Sequence, residues 1–324
     1  MERRKRILLV VAASLVLLLV LAGVWFWHSL GKPLYQPGMV RVGANLRGPL
    51  EPPPKQQDDS FWIVEPDIRL HHFSQGQGRP VLVVHGGPGY PITKPLPGLE
   101  PLTAKFQFHY YDQRGSGQSS RPFGRFTSKN FYANMTELER TLGIGAQVAD
   151  IERIRRILKQ EKLVLLGHSF GAFLAAMYAT EFPEHVQALV LVAPSAVLVV
   201  PGEGPDFFDE IRRRLPESRH AEYDQFLKAY LDFGRLFDNS EEELAAANRQ
   251  IGDYFLLASG QAVSAERPPD ANGGWMVQAM YLSLGKRHDY RPMLRLASAP
   301  TLVIHGEDDI VPEQGSRGYV EALP

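Results

Sequence analysis

The chain has 324 residues, 44% hydrophobic and 22% charged, with 35 Lys and Arg against 36 Asp and Glu and no cysteine. That length and apolar fraction support a large core, as one domain carrying an insertion or as two domains. A formal net charge of −1 gives no field to draw in nucleic acid or an acidic substrate. The missing cysteines exclude disulfides, thiolate catalysis and cysteine-ligated metals.

Residues 1–6 hold a basic cluster, Arg3, Arg4, Lys5 and Arg6, and residues 7–27 carry no formal charge. A helix of that length spans a hydrocarbon core of about 30 Å. The pattern predicts a transmembrane signal anchor in the lipid bilayer over 7–27, with residues 1–6 as a cytoplasmic tail. A single-pass protein with an extracytoplasmic catalytic domain, periplasmic or extracellular, follows from the basic flank. The alternative is a cleavable signal peptide, with Val20-Leu21-Ala22 at the cleavage positions. Residues 28–58 contain Pro33, Pro37, Pro49 and Pro52-Pro53-Pro54, and read as a semi-extended stalk because proline blocks helix and ladder hydrogen bonds.

An alternation of strands and helices begins near Phe61. Phe61 to Val64 and Ile68 to Phe73 look like an opening pair of strands. The continuous apolar run Val81 to Val84 is the signature of a strand covered on both faces. Phe106 to Tyr111, Leu163 to Leu166, Ala188 to Val192 and Thr301 to Ile304 are further strands. Val148, Ile151, Ile154 and Ile157 recur at helical spacing with charged residues between them. The reading is an α/β fold with a mostly parallel, doubly wound sheet, its core divided into 59–194 and 292–324. Residues 195–291, rich in charged and aromatic residues at helical spacing, are predicted to form a helical cap inserted after the sixth strand. Such a cap would cover the carboxyl ends of the strands, where sites in these sheets lie.

Three motifs carry chemistry. Gly167-His168-Ser169-Phe170-Gly171 follows the strand Leu163 to Leu166 and precedes a small-residue helix. This G-x-S-x-G turn is the nucleophile elbow of the α/β-hydrolase fold, which strains the serine backbone and exposes its hydroxyl above the sheet. His85-Gly86-Gly87-Pro88-Gly89 follows Val81 to Val84 and leaves backbone N–H groups bare for an oxyanion. Gly87 is the preferred first donor, with Gly86 second, and the N–H of Phe170 is the other. The spacing fits neither dinucleotide-binding nor P-loop glycine patterns. In Asp112-Gln113-Arg114-Gly115-Ser116-Gly117-Gln118-Ser119, the Asp112 and Arg114 side chains are expected to tie loops together through a charge-assisted hydrogen bond.

In this order, the three motifs resemble those of the proline iminopeptidase group of α/β hydrolases, over roughly Phe61 to Pro194 and Pro300 to Pro324. The resemblance implies the α/β-hydrolase fold and Ser169 as nucleophile. It implies a triad acid in the turn Gly306-Glu307-Asp308-Asp309, at Asp309 with Asp308 as the alternative. It also implies a histidine base on a loop one strand beyond the acid. Residues 310–324 contain no histidine, and the family's final strand and helix are missing, so the chain reads as a fragment lacking its C-terminal end. The group's tryptophan-and-glutamate signature for a substrate amine is met only by Trp275 in Gly273-Gly274-Trp275-Met276, with no glutamate close behind.

His85 and His168 sit in backbone-shaping motifs and His305 too near the acid turn to act as the base. His71-His72 is adjacent in a strand, so its rings face opposite ways and offer no metal site. Among the cap acids Glu203, Asp206, Asp209 and Glu210, a solvated helix face is the simpler reading than amine recognition. The expected function is a serine hydrolase of aminopeptidase or esterase type, without cofactor or metal, cleaving an ester or amide of a small molecule or short peptide through an acyl-enzyme. Without its histidine the chain as given would be inactive or very weak. The alternative is a catalytically inactive binding or scaffold protein on the same fold.

Overall fold

The computed structural model describes residues 31–54, 59–202, 204–263 and 271–324, together with Ser14, Leu17, Leu18, Val20 and Gly23. Seven strands form one sheet: β1 (Phe61–Glu65), β2 (Ile68–Gly76), β3 (Arg79–Val84), β4 (Phe106–Tyr111), β5 (Leu163–His168), β6 (Val186–Val192) and β9 (Thr301–Ile304). Their order is β1-β2-β4-β3-β5-β6-β9. The β1/β2 and β2/β4 pairs are antiparallel and the other four are parallel. β3 and β5 lie in the middle, and Val81 to Val84 and Leu163 to Gly167 are buried without interruption. A parallel strand covered by helices on both faces needs such a run.

Three helices before the cap back the sheet: α1 (Phe131–Leu142), α2 (Ile144–Ile157) and α3 (Phe170–Glu181). Every residue of α3 is buried, and it packs on β5, β6 and α2. Its alanines and glycine let the helix approach the sheet closely. Between β6 and β9 come α4 (Phe207–Arg214), α5 (His220–Tyr230), α6 (Glu241–Ala258), α7 (Trp275–Leu284) and the short α8 (Arg291–Leu294). A two-stranded ribbon of β7 (Val199–Val200) and β8 (His288–Asp289) frames this excursion. α4 and α6 open on capping boxes at Asp206 and Ser240, each satisfying two otherwise orphan N–H groups. α9 (Glu313–Ala322) follows β9.

The expected transmembrane anchor is corrected. Among the described residues no helix is long and apolar enough to cross a membrane. The longest described helix, α6, has 18 residues and begins on three glutamates, whereas a span takes about 20 predominantly apolar residues. The bilayer contact and the single-pass, extracytoplasmic placement built on residues 7–27 are withdrawn with it. Apart from the five residues named above, that segment lies outside the described residues.

The described part of the expected stalk is also not free-standing. Tyr35 and Val40 are fully buried in the main core, with Leu46 and Leu50 packed against it. The Tyr35 hydroxyl donates to Glu181 (3.1 Å), which also accepts from the backbone N–H groups of Val40 and Arg41. Prolines do keep the segment irregular, but its apolar side chains join the main core beside Gly145 of α2, and hydrogen bonds tie it to Glu181 of α3 and the Ser283 carbonyl of α7.

Candidate active site

The chain leaves β5 at His168 and enters α3 at Phe170 through a single residue, Ser169, with φ 53° and ψ −121°. A non-glycine residue in that region stores backbone strain of about 1–3 kcal/mol. The flanking glycines follow from crowding. A Cβ at Gly167 would stand 2.5 Å from the Ala172 Cα, and one at Gly171 would fall on the Val84 and His85 carbonyl oxygens. Backbone bonds hold the turn, from Ser169 N–H to the Val192 carbonyl (2.9 Å) and from Ser195 N–H to the Ser169 carbonyl (3.2 Å).

Gly86 and Gly87 share a cavity of about 320 Å³ with Ser169. A Cβ on Gly86 would meet the Ser169 Cβ at 2.8 Å, and Gly87 has φ +116°, a conformation that glycine adopts without steric cost. Phe170 is the first residue of α3, so its N–H has no acceptor inside the helix and points along the positive end of the dipole. His85 is buried and pins the glycine loop. Its Nε2 accepts from the Gln113 backbone N–H (3.0 Å), while the Gln113 side chain donates to the His85 carbonyl (2.7 Å). Burial holds the His85 imidazole below its ordinary pKa, in keeping with an acceptor nitrogen.

Asp309 reaches the same cavity from the turn after β9. Its N–H donates to the Gly306 carbonyl (3.2 Å), and its Oδ1 accepts from Val311 N–H (2.9 Å). Arg214 of the cap donates to the Asp309 carbonyl at 2.7 Å. Asp308, the alternative acid, is exposed and does not line the cavity.

Sequence reasoning missed one residue at this site, Ser195, and set aside another, His168. Ser195 Oγ lies 3.4 Å from Ser169 Oγ, and the signal was its place just past the carboxyl end of β6, beside the elbow strand. His168 is the one cavity-lining histidine among the described residues. It keeps contact with solvent, yet the cavity walls crowd its ring. That desolvation lowers its pKa, and the negative charge of Asp309 opposes the shift. Other described histidines sit elsewhere, among them His71, which faces Asp112 (3.2 Å), His288, between the Leu284 and Val197 carbonyls, and His305, which meets Ser316 Oγ (2.9 Å).

Two expectations change. Arg114 does not pair with Asp112. It is fully buried and bonds Asp150 and Glu65, with Arg153 completing the network. Asp112 instead accepts from Gln118 N–H (2.8 Å). Trp275 is not at the cavity. It is buried against Phe126 and Phe237, its Nε1–H donates to the Gly124 carbonyl (3.2 Å), and its backbone N–H donates to Glu241 (2.7 Å). Among the described residues no group of His, Asp or Glu is arranged to hold a metal ion.

A mostly parallel sheet, a serine at a strained strand-to-helix turn and a glycine loop beside it define a class of α/β enzyme. Residues 79–324 match the alpha/beta hydrolase fold family, and the chain belongs to it. The chain is an enzyme of the α/β-hydrolase type. It is 27% identical over 275 residues to the proline iminopeptidase of Neisseria meningitidis serogroup A, covering 76% of this chain and 79% of that protein. A putative non-heme chloroperoxidase of Synechocystis is 25% identical over 249 residues, covering 75% and 78%. A solved hydrolase structure from Pseudomonas aeruginosa shares the fold with a TM-score of 0.50 at 19% identity, covering 83% of this chain and 88% of that one.

Proposed function

We propose that the chain is a serine hydrolase acting on a small ester or amide through an acyl-enzyme. Ser169 Oγ attacks the substrate carbonyl, forming the O–C bond as its proton passes to a general base, which in the family's triad is the imidazole of a histidine. The developing oxyanion is met by the N–H groups of Gly87 and Phe170, a term that often dominates acyl transfer. Collapse expels the alcohol or amine with that proton, and water then releases the acid. Asp309 would orient the imidazole; residues 310–324 hold no histidine to assign to that role.

The observation that carries this reading is the convergence of Ser169, Gly86, Gly87 and Asp309 on one cavity from three separate stretches of sequence. The iminopeptidase relative adds that hydrolysis at a carbonyl suits the family. Turnover of p-nitrophenyl acetate by wild type and Ser169→Ala tests it. The reading expects the substitution to reduce turnover to what oxyanion donors and binding alone sustain. Equal rates in the two proteins would overturn it.

A further inference from the structure

Resting on the serine-hydrolase reading above, we propose that the cavity selects esters with an uncharged, apolar acyl group and rejects substrates presenting a free α-ammonium group. At about 320 Å³ it lies near the small end of ligand pockets, about 300–1,000 Å³, which suits a compact acyl chain. Its cap-side wall is apolar, with Phe207, Ile251, Phe255, Leu256 and Val277, and Val311 from the turn after β9 adds to it.

The polar groups in that wall bond to one another. The Tyr230 hydroxyl donates to Asn248 Oδ1 (2.8 Å), the Tyr90 hydroxyl donates to the Asn248 carbonyl, and Asn248 Nδ2 donates to the Gly273 carbonyl. A cation held against that cap-side wall loses its hydration and gains no counter-charge from the wall, which costs several kcal/mol. Among the lining residues the one carboxylate is Asp309, which has its own part in the proposed mechanism.

The carboxylates of the cap that might have caught an amine are engaged elsewhere. Asp206 and Asp209 close the capping box of α4. Glu210 pairs with Arg213 (2.6 Å) and Arg214 (3.7 Å). Glu241 accepts from Gly274 and Trp275 N–H and pairs with Arg121. Glu203, Glu266 and Asp270 lie outside the described residues. Among the described residues the cavity therefore departs from what an enzyme for free amino termini needs.

The test compares the p-nitrophenyl esters of 4-methylpentanoate and leucine, which share a carbon skeleton and differ by the α-amine. Assays at about pH 6 keep the amine charged, and each rate is divided by the ester's own hydroxide-catalysed rate. The expected preference in kcat/KM is at least about a hundredfold for 4-methylpentanoate. Placing a carboxylate on the half-buried wall by Leu256→Glu should narrow that preference by about tenfold or more. Equal or better use of the leucine ester by wild type, lost in Ser169→Ala, would overturn the inference while leaving the serine-hydrolase reading intact. Unchanged rates in Ser169→Ala for both esters would overturn that reading, and the inference with it.

Discussion

Replacing Ser169 by glycine should stabilise the fold relative to replacing it by alanine. The Ser169 backbone, at φ 53° and ψ −121°, costs any side-chain-bearing residue about 1–3 kcal/mol. Alanine keeps that strain; glycine removes it, at the expense of about 0.4–1 kcal/mol of added freedom in the unfolded chain. The hydroxyl's partner, Ser195 Oγ, is distant at 3.4 Å, so its loss is common to both variants and small. The difference favours Ser169→Gly by about 0.5–2 kcal/mol. For a chain of this size that raises Tm by roughly 1–4 °C. Paired urea titrations with a shared m-value give the same quantity at equilibrium. A Ser169→Gly protein no more stable than Ser169→Ala would show that the elbow stores no strain, and the explanation for its geometry would fall.

Two further predictions concern buried charge. Burial pushes the Glu139 carboxyl up from its ordinary 4.5 to about 7. Between those values the folded state holds the extra proton, so stability falls as pH rises through that window. Glu139→Gln should remove roughly 3 kcal/mol of this fall; denaturation curves of wild type and variant that stay parallel from pH 4 to 8 would contradict it. Arg114→Met should cost about 3–5 kcal/mol by removing its buried bonds to Asp150, Glu65 and the Thr141 carbonyl and leaving the carboxylates to Arg153 and Arg47, against a negligible change in the urea midpoint if the network is dispensable.

The sheet was legible because its central strands are covered on both faces, so Val81 to Val84 and Leu163 to Leu166 had to be continuous apolar runs. The elbow was legible because close approach of α3 leaves no room for a Cβ at Gly167 or Gly171. Helix α1 escaped notice since its buried face includes Asn134, Glu139 and Thr141, which blur the apolar stripe. Prolines suggested a detached stalk, but two well-placed side chains, Tyr35 and Val40, outweigh them by burial. Arg114 was assigned the wrong partner because sequence proximity favoured Asp112, while the real partners, Asp150 and Glu65, come from α2 and β1. Ser195 and the cap residues Tyr230 and Asn248 had no motif; only the fold brings the first beside Ser169 and the other two to the cavity. Trp275 matched a signature by type and position in the cap, yet its ring fills the core.

The central claim is that Ser169 is the nucleophile. Intact-mass analysis after incubation with a small alkyl fluorophosphonate tests it most directly, with wild type, Ser169→Ala and the heat-unfolded protein side by side. The account predicts one adduct on the folded wild-type chain, mapped to Ser169 by peptide sequencing and absent from the other two. An adduct that persists in Ser169→Ala, or a folded wild-type chain that takes none, would contradict it.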